Sequence, residues 1–183
     1  MKLCETLSIS CTPLRNALGR LAIEGLGVII PKKGTFVSRV RFEDLIELFE
    51  LREALEGMAV GLCMSRNRVV AIKQMEENLK IQGKAIENSN YNMSIENDLA
   101  YHFIFINLSR NSKIELMLQQ ISDMISRFAI TTVDNFERQK QSYEEHKKIF
   151  SAIKLNNVDL AEKLVREHIV NVKEYHINKH YLY

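Results

Sequence analysis

Four residues of this chain have the types and the spacing of a metal site. Asp98 and His102 stand four apart, and His146 and His168 follow with 21 residues between them. One carboxylate and three imidazoles form a ligand set for a first-row divalent cation. Residues four apart lie on one face of a helix, so Asp98 and His102 can share one ion. Zinc is the first expectation, with nickel and manganese as alternatives, because ligand identity alone does not select the metal.

The spacing of the other two histidines fits a helical hairpin. Asn156-Asn157 predicts a break, and Asn157 can cap a helix that begins at Val158. Ten residues lead from His146 to Asn156, and eleven lead from Asn157 to His168. At about 1.5 Å per residue, two antiparallel helices of these lengths return His168 to the level of His146.

Other interpretations of these histidines stay open. A single histidine is more often a surface residue or a hydrogen-bonded core residue than a metal ligand. His176 and His180 form a second pair four residues apart. They stand about 12 and 18 Å beyond His168 along a helix axis and near a chain end, so we expect both on the surface.

The chain as a whole is typical of an ordered, mainly helical protein. Its 183 residues are 46% hydrophobic, with two prolines and seven glycines. No apolar run approaches the roughly 18 residues that cross a bilayer, and the first ten residues lack a signal-peptide pattern. These features predict a cytoplasmic protein without a membrane segment. Three cysteines without a C-x-x-C pair predict neither a disulfide framework nor a thiolate zinc site.

Charge separates a small basic head from the rest of the chain. The net charge is +2, yet residues 1–42 carry seven basic and two acidic side chains. A basic head on a slightly acidic body indicates contact with nucleic acid or another polyanion, confined to the head. Taken alone, the asymmetry is weak, since many solvated surfaces have as much.

The periodicity predicts a head with one main helix and a hairpin. Thr12 can cap a helix over residues 12–24, with Pro13 in its first turn. Residues 28–30 and 35–37 read as two short strands, joined by a turn that holds Lys32 and Lys33. Residue 42 onward predicts an antiparallel bundle of six helices, at residues 42–66, 69–87, 93–108, 112–131, 135–155 and 158–179.

Several stretches together resemble the GntR family of bacterial transcription regulators, in its FadR-like branch with an FCD effector domain. In the head these are LSISCTPLRNAL at residues 7–18 and PKKGTFV at residues 31–37. In the body they are LFELREALE at residues 48–56, Asp98-x3-His102, Ser109-Arg110-Asn111 and His146-x21-His168. The resemblance covers essentially the whole chain, and the combination is specific although each motif alone is weak.

The resemblance implies two domains with different functions. Residues 1–41 would be a partial winged helix-turn-helix that binds operator DNA, and residues 42–183 an all-helical metal- and effector-binding domain. It implies a homodimer. In the head, the main helix would present its residues to base edges in the major groove and the wing would contact phosphate or the minor groove. The residues assigned to DNA are Thr12, Arg15, Asn16, Lys32, Lys33 and Thr35.

Two residues of the body are assigned to a small-carboxylate effector. Arg52 would hold the carboxylate through a forked, charge-assisted pair, or else form an ordinary ion pair with Glu56 on its own helix. Asn111 is predicted to cap a helix first and to contact the effector second. Arg20 is predicted to be a solvated residue.

Two departures from the family's pattern leave alternatives open. Cys11 stands where the family usually has an arginine, and the family's first helix and most of its second have no counterpart before it. The head is then poorly folded, or the true start lies upstream. One alternative is a truncated regulator that keeps metal and effector binding without DNA binding. Another is a metal-dependent hydrolase, although no separate general base stands beside the ligands. The preferred interpretation is a regulator, not an enzyme.

Overall fold

The structure, a computed structural model, describes residues 2–38, 42–130 and 135–180. The chain divides into two compact units, Met1–Arg41 and Phe42–Tyr183. Among the described residues there are seven helices and one two-stranded hairpin, which confirms the mainly helical fold. Within the described ranges, no helix is long and apolar enough to cross a membrane.

The first unit contains two helices followed by a hairpin. α1 is Lys2–Thr6, α2 is Cys11–Ile23, β1 is Gly27–Ile30 and β2 is Gly34–Val37. The strands are antiparallel, and Gly27 pairs with Val37 while Ile30 pairs with Gly34. The predicted helix and hairpin are therefore present. The predicted cap at Thr12 is wrong: Ser10 is the N-cap residue, and Thr12 lies within the first turn of the helix.

The turn between the strands has the backbone that its sequence predicts. The amide of Lys33 donates to the carbonyl of Ile30 at 3.0 Å. Lys32 has a φ of 64° and Gly34 a φ of 124°, and glycine adopts such a value without steric cost. The turn leaves both lysine side chains exposed.

The second unit consists of five helical elements. These are α3 (Phe42–Glu87), α4 (Tyr91–Leu108), α5 (Ser112–Ile130), α6 (Phe136–Lys154) and α7 (Val158–His180). α3 packs along α4, α6 and α7, and α6 packs on α7. The predicted helix end at Thr131 lies outside the described residues.

The separate helices predicted over residues 42–66 and 69–87 are joined end to end in α3. Only Asn67 leaves helical geometry, with φ −143° and ψ 28°, so the helix kinks there and continues. Neither glycine nor proline stands at the junction to end the helix. At the kink, two polar side chains contact the end of α4. Asn67 donates to the carbonyl of Leu108 at 2.8 Å, and Arg66 donates to that of Ser109 at 2.6 Å. They satisfy carbonyls that the end of α4 leaves without helical partners.

Asparagine caps set where three of the helices begin. The side chains of Asn90, Asn135 and Asn157 accept hydrogen bonds from backbone amides in the first turns of α4, α6 and α7. The predicted break is confirmed: Asn156 has a φ of 56°, and Asn157 accepts from the amide of Leu160 at 3.1 Å.

Two apolar clusters hold the second unit together. The larger one includes Tyr101, Phe105, Ile149, Ile153 and Val165, all fully buried. The smaller one is Leu45, Leu48, Phe49, Ile125 and Ile169. Each such side chain stabilises the fold by roughly 1.5–3 kcal/mol on burial. Together the clusters fix the relative positions of α4, α6 and α7, the helices that carry the histidines.

Candidate metal centre

Three histidines from three helices meet inside the second unit. His102 on α4, His146 on α6 and His168 on α7 are 3%, 0% and 1% exposed. One ring nitrogen from each lies within 4.8 Å of the others. Metal ligands commonly converge in this way from facing helices of a bundle.

The spacing of the ring nitrogens suits one shared cation. Nε2 of His102 and Nε2 of His146 are 3.3 Å apart. Two imidazole nitrogens at about 2.0–2.1 Å from one zinc ion stand about 3 Å apart, so the separation fits neighbours on a single ion. The three imidazoles could therefore bind a divalent metal.

Each imidazole has an oxygen at its other ring nitrogen. Nδ1 of His102 lies 2.6 Å from Oε2 of Glu56, and Nδ1 of His168 lies 2.7 Å from Oε2 of Glu145. Nδ1 of His146 lies 3.2 Å from Oε1 of Gln82. An acceptor at Nδ1 fixes the tautomer, because Nδ1 then donates and Nε2 keeps its lone pair for a metal. All three imidazoles have this orientation.

Packing also fixes the His146 ring. It stacks on Tyr101 with ring centroids 4.1 Å apart, and the Tyr101 hydroxyl donates to the backbone carbonyl of His146 at 2.8 Å. This ring therefore has both a defined plane and a defined tautomer, which lowers the entropy lost when a ligand site forms.

The electrostatics favour neutral imidazoles at His146 and His168 and an ionised carboxylate at Glu56. Burial lowers the pKa of His146 well below its usual range, with a further contribution from His168 and His102. Burial also lowers the pKa of His168, although Glu145 opposes the shift. Burial alone would raise the pKa of Glu56, but Arg52 and His102 outweigh it and hold the value at about 2. A neutral imidazole is the form that binds metal.

Asp98 lies beside the triad but outside its compact group. Its Oδ1 is 3.7 Å from Nε2 of His146 and 3.5 Å from the amide nitrogen of Gln82. The side chain is 24% exposed and lines a cleft that also reaches His168. The structure thus brings three of the four predicted ligands together and places the fourth next to them.

The cleft beside the triad is lined by both apolar and charged side chains. It has a volume of about 40 Å³, and its lining includes Arg52, Arg138, Ser94 and Ser142. Nε of Arg52 donates to Oε1 of Glu56 at 2.7 Å, so the predicted intrahelical pair is present at a position that also faces the cleft. Arg138 is 4% exposed and pairs with Glu145 at 3.1 Å. Its Nε is buried without a hydrogen-bond partner among the described residues.

One expectation about an individual residue is confirmed, and another is wrong. The side chain of Asn111 accepts from the amides of Lys113 and Ile114, at 3.1 and 3.3 Å, so it caps α5. It is not among the described residues that line this cleft, so its predicted effector contact stays a prediction. His176 is not on the surface: it is 5% exposed, packs against Phe49 and lines the cleft. The side chain of His180 lies outside the described residues.

Four residues that sequence reasoning missed complete this arrangement. Glu56 figured only as a partner for Arg52, and no local pattern singled out Gln82, Arg138 or Glu145. Glu145 precedes His146 in the chain but binds His168. Gln82 lies 64 residues before its partner, and a single sequence holds no signal for such a contact.

The six predicted DNA-contacting residues are all exposed. Thr12, Arg15 and Asn16 are in the first half of α2, Lys32 and Lys33 are in the turn, and Thr35 is on β2. Each position leaves the side chain accessible to a partner.

The chain thus combines a helical unit that contains a buried histidine triad with a helix-and-hairpin unit. The FCD domain profile matches residues 47–171. The Nta operon transcriptional regulator of Aminobacter aminovorans is 32% identical over 92% of this chain and 79% of its own length. The Glc operon transcriptional activator of Escherichia coli is 26% identical, over 94% of this chain and 77% of its own length.

Solved structures agree on the fold. McbR/YncC of E. coli has a TM-score of 0.83 with 20% identity, covering 98% of this chain and 85% of that protein. A GntR regulator from Rhodococcus sp. RHA1 has a TM-score of 0.80 with 16% identity, covering 97% and 84%. The chain belongs to the GntR family of transcriptional regulators and carries an FCD domain. Its relatives are regulators, not enzymes, and the hydrolase alternative finds no support among them.

Proposed function

We propose that this protein is a metal-dependent transcription regulator that responds to a small carboxylate and binds operator DNA as a homodimer. Residues 42–183 would form the metal- and effector-binding domain and residues 1–41 the DNA-binding domain. The observation that carries the proposal is the orientation of the triad. Three imidazoles converge, and each has an oxygen at Nδ1 that leaves Nε2 free for the cation.

His102, His146 and His168 would hold the metal, with Asp98 as the fourth ligand. Zinc is the first candidate, and nickel and manganese are alternatives. The bound cation would supply a fixed positive charge for an anionic ligand. Because both Glu56 and Glu145 have pKa values of about 2, the carboxylates around the imidazoles are anions that favour binding of a cation.

A small carboxylate would find cationic partners in the cleft beside this cation. Arg52 and Arg138 both line it, and a guanidinium matches a carboxylate through two parallel hydrogen bonds. The buried Nε of Arg138 is a donor to which an anionic ligand could supply the acceptor. A buried donor without an acceptor costs about 1–3 kcal/mol, so filling the site would recover stability as well as binding energy.

The first unit would make the DNA contacts. Arg15 and Asn16 can pair with guanine and adenine in the major groove, with Thr12 beside them. Lys32, Lys33 and Thr35 would contact phosphate or the minor groove and add affinity without sequence information. Effector and operator affinity would be linked, since a ligand that favours one arrangement of the dimer shifts both equilibria.

Metal analysis tests the first half of this proposal. We expect about one divalent metal per chain in the purified protein by elemental analysis, and loss of it in a His102→Ala/His146→Ala double variant. His176→Gln is the matched control, because His176 is equally buried and lines the same cleft but stands outside the triad. Absence of metal from the parent even after incubation with zinc would reject the site.

DNA binding tests the second half. A duplex selected from a random-sequence library would be titrated with protein by fluorescence anisotropy, with and without a panel of small carboxylates. Arg15→Ala should weaken binding about 5- to 150-fold, equivalent to about 1–3 kcal/mol, and Arg20→Ala should change it little. A metal-loaded parent that selects no sequence would favour the truncated-regulator alternative instead.

A further inference from the structure

Two cysteine thiols are in contact in the first unit. Sγ of Cys4 on α1 lies 2.7 Å from Sγ of Cys11, the first residue of α2. Cys11 is exposed and Cys4 is half-buried, so oxidants in solution can reach the pair. The thiol of Cys4 hydrogen-bonds to Cys11, and this bond raises the pKa of Cys4. The Cys4 thiol therefore stays protonated, and Cys11 is the more exposed of the two sulfurs.

The third cysteine provides an internal contrast. Cys63 is fully buried in the larger apolar cluster of the second unit. Burial raises the pKa of its thiol to about 12. A buried thiol that stays protonated is inert toward oxidants, because the thiolate is the reactive form.

The first unit has little apolar packing to hold it together. None of the described residues of α2 is buried, and Leu7, Leu21, Phe36 and Val37 are 41–81% exposed. Small modules with so little buried surface commonly depend on a covalent cross-link. A bond between α1 and the first turn of α2 would therefore have a large effect on this unit.

We propose that Cys4 and Cys11 are a redox modification site, which a peroxide converts to a reversible intrachain disulfide that ties α1 to the start of α2. The sulfurs are already within about 0.7 Å of the 2.03–2.05 Å length of a disulfide, so the two reacting atoms are in contact before oxidation. Residues Thr12, Arg15 and Asn16 follow Cys11 directly, so the bond would act on the helix that reads DNA. This last consequence rests on the proposed function.

The chemistry is a two-electron oxidation in two steps. The Cys11 sulfur attacks one oxygen of hydrogen peroxide and the O–O bond breaks. The leaving hydroxide takes the Cys11 proton as one water, and Cys11 is left as the sulfenic acid. The Cys4 sulfur then attacks the sulfenic sulfur, the S–O bond breaks, and the leaving hydroxyl takes the Cys4 proton as a second water. The two thiols lose two electrons and the peroxide gains two. Reduction by a dithiol restores both thiols.

Thiol counting on the full, metal-loaded chain tests the site. The reduced protein should show three thiols after denaturation, and protein treated with a small excess of hydrogen peroxide should show one. Peptide mapping should identify a disulfide between Cys4 and Cys11. Non-reducing electrophoresis should show a monomer. Cys4→Ser and Cys11→Ser should each lack the cross-link, while Cys63→Ser, the control, should form it.

Other chemical outcomes overturn the proposal. A cross-link between chains, further oxidation of Cys11 with Cys4 still reduced, or three remaining thiols each contradict an intrachain disulfide. Limited proteolysis gives an independent measure: cleavage within residues 1–38 should slow at least 3-fold on oxidation. Equal rates for the two forms would show that the bond does not stabilise the unit.

Operator binding separates this inference from the proposed function. The oxidised parent should bind the selected duplex at least 3-fold more tightly than the reduced parent, and dithiothreitol should reverse the change. Cys4→Ser should bind equally with and without peroxide. A disulfide in a protein that binds no duplex in either state would reject the DNA-binding proposal while the modification site stands. If the protein binds the duplex and peroxide does not change the affinity, the effect of the disulfide on DNA binding is rejected, and the DNA-binding proposal stands.

Discussion

Each imidazole of the triad takes its orientation from a residue on another part of the fold. Glu56 and Gln82 lie on α3 and contact His102 on α4 and His146 on α6, whereas Glu145 on α6 contacts His168 on α7. Gln82 is the neutral member of this set. It has the weakest acceptor, so its contribution can be removed without leaving a buried charge unpaired.

Substitution of this glutamine should weaken metal binding. Gln82→Met keeps the length of the side chain but removes the acceptor at Nδ1 of His146, together with the longer 3.5 Å contact to Asp98. Loss of such an outer partner typically costs about 10- to 100-fold in metal affinity. Competition with a chromophoric chelator would measure the change. Asn78→Met, one turn earlier on α3 and away from the histidines, is the control and should bind metal normally. Equal affinity for Gln82→Met and the parent would contradict the orienting role.

The helical hairpin of α6 and α7 determines whether two of the histidines meet. Its turn depends on Asn156, whose φ is 56°, and on Asn157, whose side chain accepts from the amide of Leu160. With the turn placed there, His146 and His168 stand at the same level of the pair, with ring centroids 4.7 Å apart. The residue at which α7 begins therefore determines whether His168 lies level with His146.

Removal of the α7 cap should destabilise the protein. Asn157→Ala deletes the side-chain acceptor in the first turn, and the expected loss is about 0.5–2 kcal/mol in the free energy of unfolding. Urea denaturation followed by circular dichroism at 222 nm would measure it. Asn157→Ser retains a capping oxygen and should lie within a few tenths of a kcal/mol of the parent. Similar losses in both variants would argue against capping as the cause.

At the scale of the molecule, one cation would tie α4, α6 and α7 together within the second unit. The apolar clusters already hold these helices, so the unit need not unfold without metal. Nevertheless a ligand that binds only the folded state adds to its stability by mass action. The size of this effect depends on the free metal concentration relative to the dissociation constant.

Metal removal should therefore lower the melting temperature. With free metal at about 1,000 times the dissociation constant, chelation with EDTA removes about 4 kcal/mol of stabilisation. Differential scanning calorimetry of the parent should show a lower transition after chelation, restored by added zinc. The His102→Ala/His146→Ala variant should melt at one temperature with and without EDTA. A shift of the same size in that variant would mean that EDTA acts elsewhere.

Local sequence determined the elements and the candidate ligands of this protein. The hairpin of the first unit follows from its β-branched runs and Lys-Lys-Gly turn, and the start of α7 follows from Asn157. Those signals lie within a few residues of the structure they specify. The histidines could be nominated because helical spacing relates positions within one helix or one hairpin.

Only the tertiary structure decided which distant side chains meet. His146 pairs with Gln82 across 64 residues, and His176 is buried against Phe49. Asn67, at the kink of α3, donates to the carbonyl of Leu108, 41 residues away. Cys4 and Cys11 read as isolated thiols until the turn between α1 and α2 placed them in contact. Periodicity specifies which face of a helix is apolar, but partners across elements depend on packing of the whole unit, which local sequence does not encode.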